Sequence, residues 1–246
     1  PSGKLLRILR GHTDHLTTLC FSPDGTRLAS SAVDQTIRLW QSSDGTELAS
    51  AQASDGLVRS VAYSPDGTRL VSVGNRKYVQ VWDIAGKELK ESLQIKTNLR
   101  AHVAEFCCEG REIILGYDSG ELITFDADTG DELHRLNSPH KDGIVALTLD
   151  PSWTLMASAS KDGTASIWNV AERRFLKAVR GQRDRLWSVA FAVDDDLLAT
   201  ASADGTVRIA DFDRDMRAAQ DPGLRSFPEL TGLNPVAFDI SADGQL

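Results

Sequence analysis

Cysteine is scarce in this chain of 246 residues, which has three, at Cys20, Cys107 and Cys108. No CxxC or CxxCH spacing occurs and the five histidines do not cluster, so the pattern supplies no zinc or haem site and no cofactor is expected. A sparse, odd thiol count suits a reducing compartment, and the expected location is cytoplasmic. Long hydrophobic runs are missing as well. None approaches the roughly 18 residues of a membrane-spanning helix, and no signal-peptide pattern opens the chain. Because it opens on Pro1 rather than Met, the chain is expected to be a segment of a longer protein. An excess of positive charge is also absent: the net charge is −8, which argues against a general nucleic-acid or anionic-membrane surface. Before residue 213 no stretch carries a convincing helical period.

What remains is an ordinary globular composition, 41% hydrophobic and 25% charged, arranged as a repeat. A strand-ending aromatic stands at Trp40, Trp82, Phe125 and Trp168, with Ala210 in the next equivalent place, at steps of 42, 43, 43 and 42 residues. The turn Ser22-Pro23-Asp24-Gly25 returns as Ser64-Pro65-Asp66-Gly67, then in altered form at Cys107-Cys108-Glu109-Gly110, at Asp150-Pro151-Ser152 and at Ser241-Ala242-Asp243-Gly244. Within each unit a first strand alternates, a second is short and rich in small residues, and a third is β-branched up to its aromatic. Units of this length with four short strands match the blade of a β-propeller. The expected fold is all-β: four-stranded antiparallel blades, five full repeats and partial blades at both ends, in a single domain over residues 1–246.

The repeats run over about 12–52, 54–94, 98–137, 140–180 and 182–232, with a partial unit at about 234–246. By alignment of Gly3 with the turn glycines Gly45, Gly86 and Gly130, residues 4–9 are expected to form the outer strand of a preceding blade. The third repeat is degenerate. Residues 213–232 are polar, contain Pro222 and Pro228, and are expected to form an extended loop with a helical turn near Met216–Gln220. Cys20 aligns with Ala62, Thr148 and Ala190 and reads as a packed core thiol; Cys107 and Cys108 replace Ser-Pro in a turn and read as exposed thiols rather than a vicinal disulfide.

These coincident motifs, over almost the whole chain, resemble the WD-repeat (WD-40) β-propeller family. The resemblance implies six or seven blades in an intact domain. It also implies a buried tetrad in each blade, with His before the first strand, Ser or Thr on the second, Asp in the next turn and Trp closing the third. The first repeat holds His12, Ser30, Asp34 and Trp40, and the fourth holds His140, Ser158, Asp162 and Trp168. The second keeps Ser72 and Trp82 but has Ser54 and Arg76 for His and Asp; the fifth keeps Thr200 and Asp204 but has Gln182 and Ala210 for His and Trp. In the third only Asp118 is clear. Ser, His and Asp together suggest a hydrolytic triad, yet they recur at one offset beside a tryptophan and lack a nucleophile elbow, so they read as structural staples. The acidic run Asp194-Asp195-Asp196 lacks the spacing of a calcium loop and reads as a solvated turn.

In the resembling family, residues beside the start of the first strand and before the turn Asp face the propeller's top. Here those positions hold His15, Leu57, Arg59, Arg100, His102, Tyr117, Lys161, Arg185 and Trp187, a basic and aromatic set of the kind that dominates interfaces. The expected function is a non-catalytic protein–protein interaction scaffold whose top face takes an acidic peptide or protein segment, with no nucleic acid, membrane or metal involved. The alternative is a sensor or regulatory propeller of a larger effector, with protease, kinase or nucleotide-hydrolysing domains flanking it. The regular SPDGTRLAS repeats resemble those of bacterial multidomain proteins, so a bacterial-type source is expected.

Overall fold

A computed structural model describes residues 5–53, 56–75, 77–192 and 197–211, together with the strand at 224–226. Its strands fall into five four-stranded antiparallel sheets, each taken up in chain order. The first contains β1 (Leu16–Phe21), β2 (Arg27–Ala32), β3 (Thr36–Gln41) and β4 (Glu47–Gln52). The second contains β5 (Val58–Tyr63), β6 (Arg69–Gly74), β7 (Tyr78–Ala85) and β8 (Glu88–Lys96). β9 (Ala101–Cys107), β10 (Glu112–Tyr117), β11 (Leu122–Asp126) and β12 (Glu132–Leu136) make the third. β13 (Ile144–Leu149), β14 (Leu155–Ser160), β15 (Ala165–Asn169) and β16 (Arg174–Val179) make the fourth. The fifth is β17 (Leu186–Phe191), β18 (Leu197–Ser202), β19 (Val207–Asp211) and β20 (Leu224–Ser226). This is the repeated blade arrangement of a β-propeller. The sixth partial repeat, the helical turn near Met216–Gln220 and Asp194-Asp195-Asp196 lie outside the described residues.

The repeat governs register as well as strand count. Leu28 faces Trp40, Leu70 faces Trp82, Met156 faces Trp168 and Leu198 faces Ala210, the same pairing in four sheets. A register shift falls just before the aromatic in the third hairpin of four sheets, at Leu39/Trp40, Val81/Trp82, Thr124/Phe125 and Ile167/Trp168. An extra residue there bends the outer strand and strengthens its twist. The turns before β2 and β6 explain the repeated Ser-Pro-Asp-Gly. The Ser22 hydroxyl donates to Asp24 at 2.6 Å and accepts the Arg27 N–H at 2.9 Å, while Gly25 takes the left-handed φ of 68° that closes the turn.

Two compact units divide the chain, Pro1–Ile113 with Asp126–Asp131, and Ile114–Phe125 with Glu132–Leu246. In the first, a core of Ile37, Leu39, Val58, Val61, Tyr63, Leu70 and Trp82 joins the opening two sheets, and half-buried Cys20 packs against it. Burial, and then the charge of Glu105, push that thiol above its ordinary range. In the second, Leu155, Ile167, Leu186, Val189, Phe191 and Leu198 pack over the small residues Ala157, Ala159 and Ala165. Alanine at those positions lets neighbouring sheets approach closely.

Residues 5–10 carry no strand, in contrast to the outer strand expected over 4–9. A strand persists only where another backbone edge pairs with it. Arg7 instead reaches the Ser42 carbonyl at 3.4 Å, and Leu5, Leu6 and Ile8 face solvent. β1 is also unlike its counterparts: Leu19 and Phe21 are 57% and 64% exposed, whereas the equivalent Val61 and Tyr63 of β5 are core.

Candidate functional site

The first candidate cluster is the polar tetrad inside the first sheet. The Trp40 indole N–H donates to Ser30 Oγ at 2.8 Å, and Ser30 Oγ meets His12 Nε2 at 2.7 Å. His12 Nδ1 lies 2.9 Å from Asp34 Oδ2. One assignment satisfies every group: Nδ1–H donates to the carboxylate, Nε2 accepts from the serine, and the serine oxygen accepts from the indole. Asp34 does more than orient the ring. It also accepts the Thr13 N–H at 2.9 Å and the Thr36 hydroxyl at 2.7 Å. Burial acts to raise its carboxyl, but the bonds from Thr36, Thr13 and His12 outweigh that and hold it well below the usual carboxylate range.

The fourth sheet repeats the arrangement. Trp168 N–H donates to Ser158 Oγ at 2.9 Å, Ser158 Oγ meets His140 Nε2 at 2.8 Å, and His140 Nδ1 sits 3.5 Å from Asp162 Oδ2 and 3.1 Å from the Thr164 hydroxyl. Lys141 N–H and Thr164 Oγ1 donate to Asp162 at 2.8 and 2.6 Å. In the fifth sheet Gln182 occupies the histidine's place: its carbonyl accepts the Thr200 hydroxyl at 2.9 Å, and its amide donates to the Thr200 and Thr206 carbonyls, each at 3.3 Å. In the second sheet Trp82 N–H still donates to Ser72 at 2.9 Å; Ser54 and Arg76 lie outside the described residues. Ser30 and Ser158 are 2% and 0% exposed, so neither hydroxyl can meet a substrate, and the histidine hydrogen-bonded to each holds a buried bond in place.

The threonines in these networks escape a reading built on four residue types. Thr36, Thr164 and Thr206 each stand two residues after the turn Asp and donate to its Oδ1. The signal was present as the recurring spacing Asp34–Thr36, Asp162–Thr164 and Asp204–Thr206.

His140 gives the fold a pH dependence. Burial lowers its pKa, against the opposing pull of the Asp162 carboxylate. The unfolded chain, at about pKa 6.5, then binds a proton more readily than the folded one. The contribution of neutral His140 is therefore complete above about pH 6.5 and is lost as pH falls below it toward the folded pKa. Melting temperatures measured from pH 8 to pH 5 should fall, and H140Q should flatten that decline.

The residues expected on a docking face are placed as follows. In the first unit His15 and Arg100 are exposed, His102 and Leu57 are half-buried, and Arg59 donates through Nε and Nη2 to Asn75 Oδ1 at 3.0 and 2.7 Å. In the second unit Lys161 Nζ bonds Asp118 at 2.8 Å, and the Arg185 guanidinium lies 4.1 Å above the Trp187 ring. Tyr117 corrects the expectation: it is 1% exposed, because every residue of β10 is buried, and it offers no contact surface. Cys107 is a second correction, being 2% exposed rather than an exposed thiol; Cys108 is half-buried, and neither is disulfide-bonded.

Five four-stranded meanders, of which the first and fourth are stapled internally by indole, hydroxyl and imidazole, define a WD-repeat β-propeller. A family model described as the IFT122 first beta-propeller matches residues 1–215, and the chain belongs to that family. It is 26% identical over 206 residues to the Periodic tryptophan protein 2 homolog of Dictyostelium discoideum, covering 81% of this chain and 22% of that protein. Over 188 residues it is 30% identical to mouse Transducin beta-like protein 3, covering 75% of this chain and 20% of that protein. Similarity to Eukaryotic translation initiation factor 3 subunit I of Taeniopygia guttata is 24% over 193 residues, covering 74% and 58%. The chain spans roughly a fifth to a quarter of the first curated relatives it matches. These relatives are eukaryotic and lend no support to a bacterial-type source. Among the described residues no helix is long and apolar enough to cross a membrane.

Proposed function

We propose that the chain is a non-catalytic protein-interaction scaffold of the cytoplasm, and that its basic and aromatic residues take an acidic protein segment. The observation that carries this is the Arg185–Trp187 pair. A guanidinium lies over a half-buried indole 4.1 Å away, with the Arg185 residue exposed. Stacking fixes the guanidinium plane while leaving N–H donors for an incoming carboxylate, and Arg and Trp are the types that concentrate binding energy. In the first unit Arg59 is oriented by Asn75, and His15 and Arg100 are exposed. A relative named as a subunit of a translation initiation factor supports a role in assemblies.

A defined test is a peptide array of matched acidic and basic sequences, read by fluorescence polarisation at low and high salt. The expected result is binding of acidic peptides that weakens with salt. Arg59→Glu and Arg185→Glu together should weaken it at least about tenfold, and Trp187→Ala alone should cost more than about 1 kcal/mol. Equal binding of basic peptides, or affinity untouched by the charge reversals, would sink the proposal. A second reading, a regulatory propeller within a larger effector, is favoured by the length of the relatives, of which this chain spans about a quarter or less in the first matches.

A further inference from the structure

We propose that Cys107, Cys108 and Glu112 form a binding site for a thiophilic divalent cation of the zinc class. Each residue offers one ligand atom, and the two sulfurs and a carboxylate oxygen all lie within 4.8 Å of one another. Around a tetrahedral zinc, with bonds of about 2.3 Å to sulfur and about 2.0–2.2 Å to oxygen, such atoms stand about 3.5–3.8 Å apart. Closing the cluster onto an ion therefore needs shifts on the order of 1 Å.

The backbone brings the two thiols together. Adjacent residues of an extended strand point to opposite faces, so a Cys-Cys pair within a strand would aim its sulfurs apart. Cys107 ends β9 in an extended conformation, but Cys108 and Glu109 have φ of 53° and 59°, and Gly110 has φ of 83°. The left-handed φ of Cys108 breaks the alternation of the strand, and the left-handed Glu109 and Gly110 that follow turn the chain back so that it re-enters β10 at Glu112. In the first two sheets the equivalent turns contain Pro and Asp, and only their glycines, Gly25 and Gly67, are left-handed. A non-glycine residue in that region costs about 1–2 kcal/mol, and here two adopt it.

Side chains hold the turn closed. Arg69 donates to the Gly110 carbonyl at 2.7 Å, to the Ala127 carbonyl at 3.3 Å and to Asp128 at 2.7 Å, while its guanidinium lies 5.4 Å from the centre of the Phe106 ring. Arg111 Nε donates to the Cys108 carbonyl at 3.1 Å. Burial of Cys107 and Glu112, at 2% and 8% exposed, shields two ligands from solvent, and half-buried Cys108 leaves a path for the ion. Binding M2+ to two thiols and an ionised carboxylate releases two protons, and a water completes four-coordination.

The experiment titrates the reduced, anaerobic 246-residue chain with Co2+ and then displaces it with Zn2+. One equivalent of Co2+ should give sulfur-to-cobalt charge-transfer absorption that Zn2+ abolishes. Cys107→Ser with Cys108→Ser should remove the absorption, Cys20→Ser should retain it, and Glu112→Gln should weaken binding at least about tenfold. Where the buried Cys107→Ser change disturbs the far-ultraviolet circular dichroism, Cys108→Ser alone makes the same test from a half-buried position. Absence of charge-transfer absorption in the reduced chain, or an unchanged one-equivalent signal in the serine variants, overturns the site.

Discussion

Replacing Trp168 with alanine should lower stability by about 3–5 kcal/mol, the range for removing a buried tryptophan. The side chain is 1% exposed, stands edge-on to Phe175 with ring centres 5.6 Å apart, and is the indole donor to Ser158. Trp168→Phe separates the two contributions. It keeps most of the apolar volume but removes the N–H, so its loss should be about 1 kcal/mol, the net worth of one hydrogen bond. Urea unfolding followed by circular dichroism, compared at constant m-value, measures both. A Phe variant as unstable as the Ala variant would mean that the hydrogen bond, rather than the packing, dominates at this position.

The second large effect is expected at Gly120. Its φ is 83°, and a Cβ there would stand 2.9 Å from the carbonyl oxygens of both His140 and Asp142. Neither oxygen is the end of a flexible side chain, so Gly120→Ala must displace the loop that carries the tetrad histidine. Left-handed backbone costs about 1–2 kcal/mol and overpacking typically about 1–3 kcal/mol, giving roughly 2–5 kcal/mol together. Gly25→Ala supplies the comparison, with a similar φ of 68° and nothing within 4 Å of the added carbon. Only the backbone contribution of about 1–2 kcal/mol should appear there. Equal losses in the two variants would show that the close approach to His140 and Asp142 is accommodated without effect.

Much of this fold was legible because the repeat expresses the same physics several times. An aromatic step of 42 or 43 residues located the third strands, and the shared register of Trp40, Trp82 and Trp168 in their sheets follows from it. Trp40 and Trp168 each donate to the serine ten residues before them, and that serine meets the histidine eighteen residues before it. Burial within the degenerate third repeat was harder to read. Tyr117 looks like a rim residue by alignment, but whether a strand residue is covered depends on sheets contributed from elsewhere in the chain, and β10 is covered on both faces. Cys107, Cys108 and Glu112 were illegible as a group because their meeting depends on a turn in which two non-glycine residues, Cys108 and Glu109, are left-handed as well as Gly110. Arg59 with Asn75 and Lys161 with Asp118 are 16 and 43 residues apart, separations with no short-range pattern to mark them.

Each tetrad closes within its own sheet. Every bond of the His12 set joins residues of the first repeat, and every bond of the His140 set joins residues of the fourth. Such staples make the blades separately insured units, in the manner of repeat arrays whose stability adds unit by unit. Sequence drift in one blade is then confined to that blade. The fifth has exchanged histidine for Gln182 and tryptophan for Ala210, yet its strands keep the register of the fourth, and the His140 network remains complete beside that change in the chain. A propeller wired in this way can let one blade's interior diverge and take on new loop chemistry while the others keep the scaffold standing.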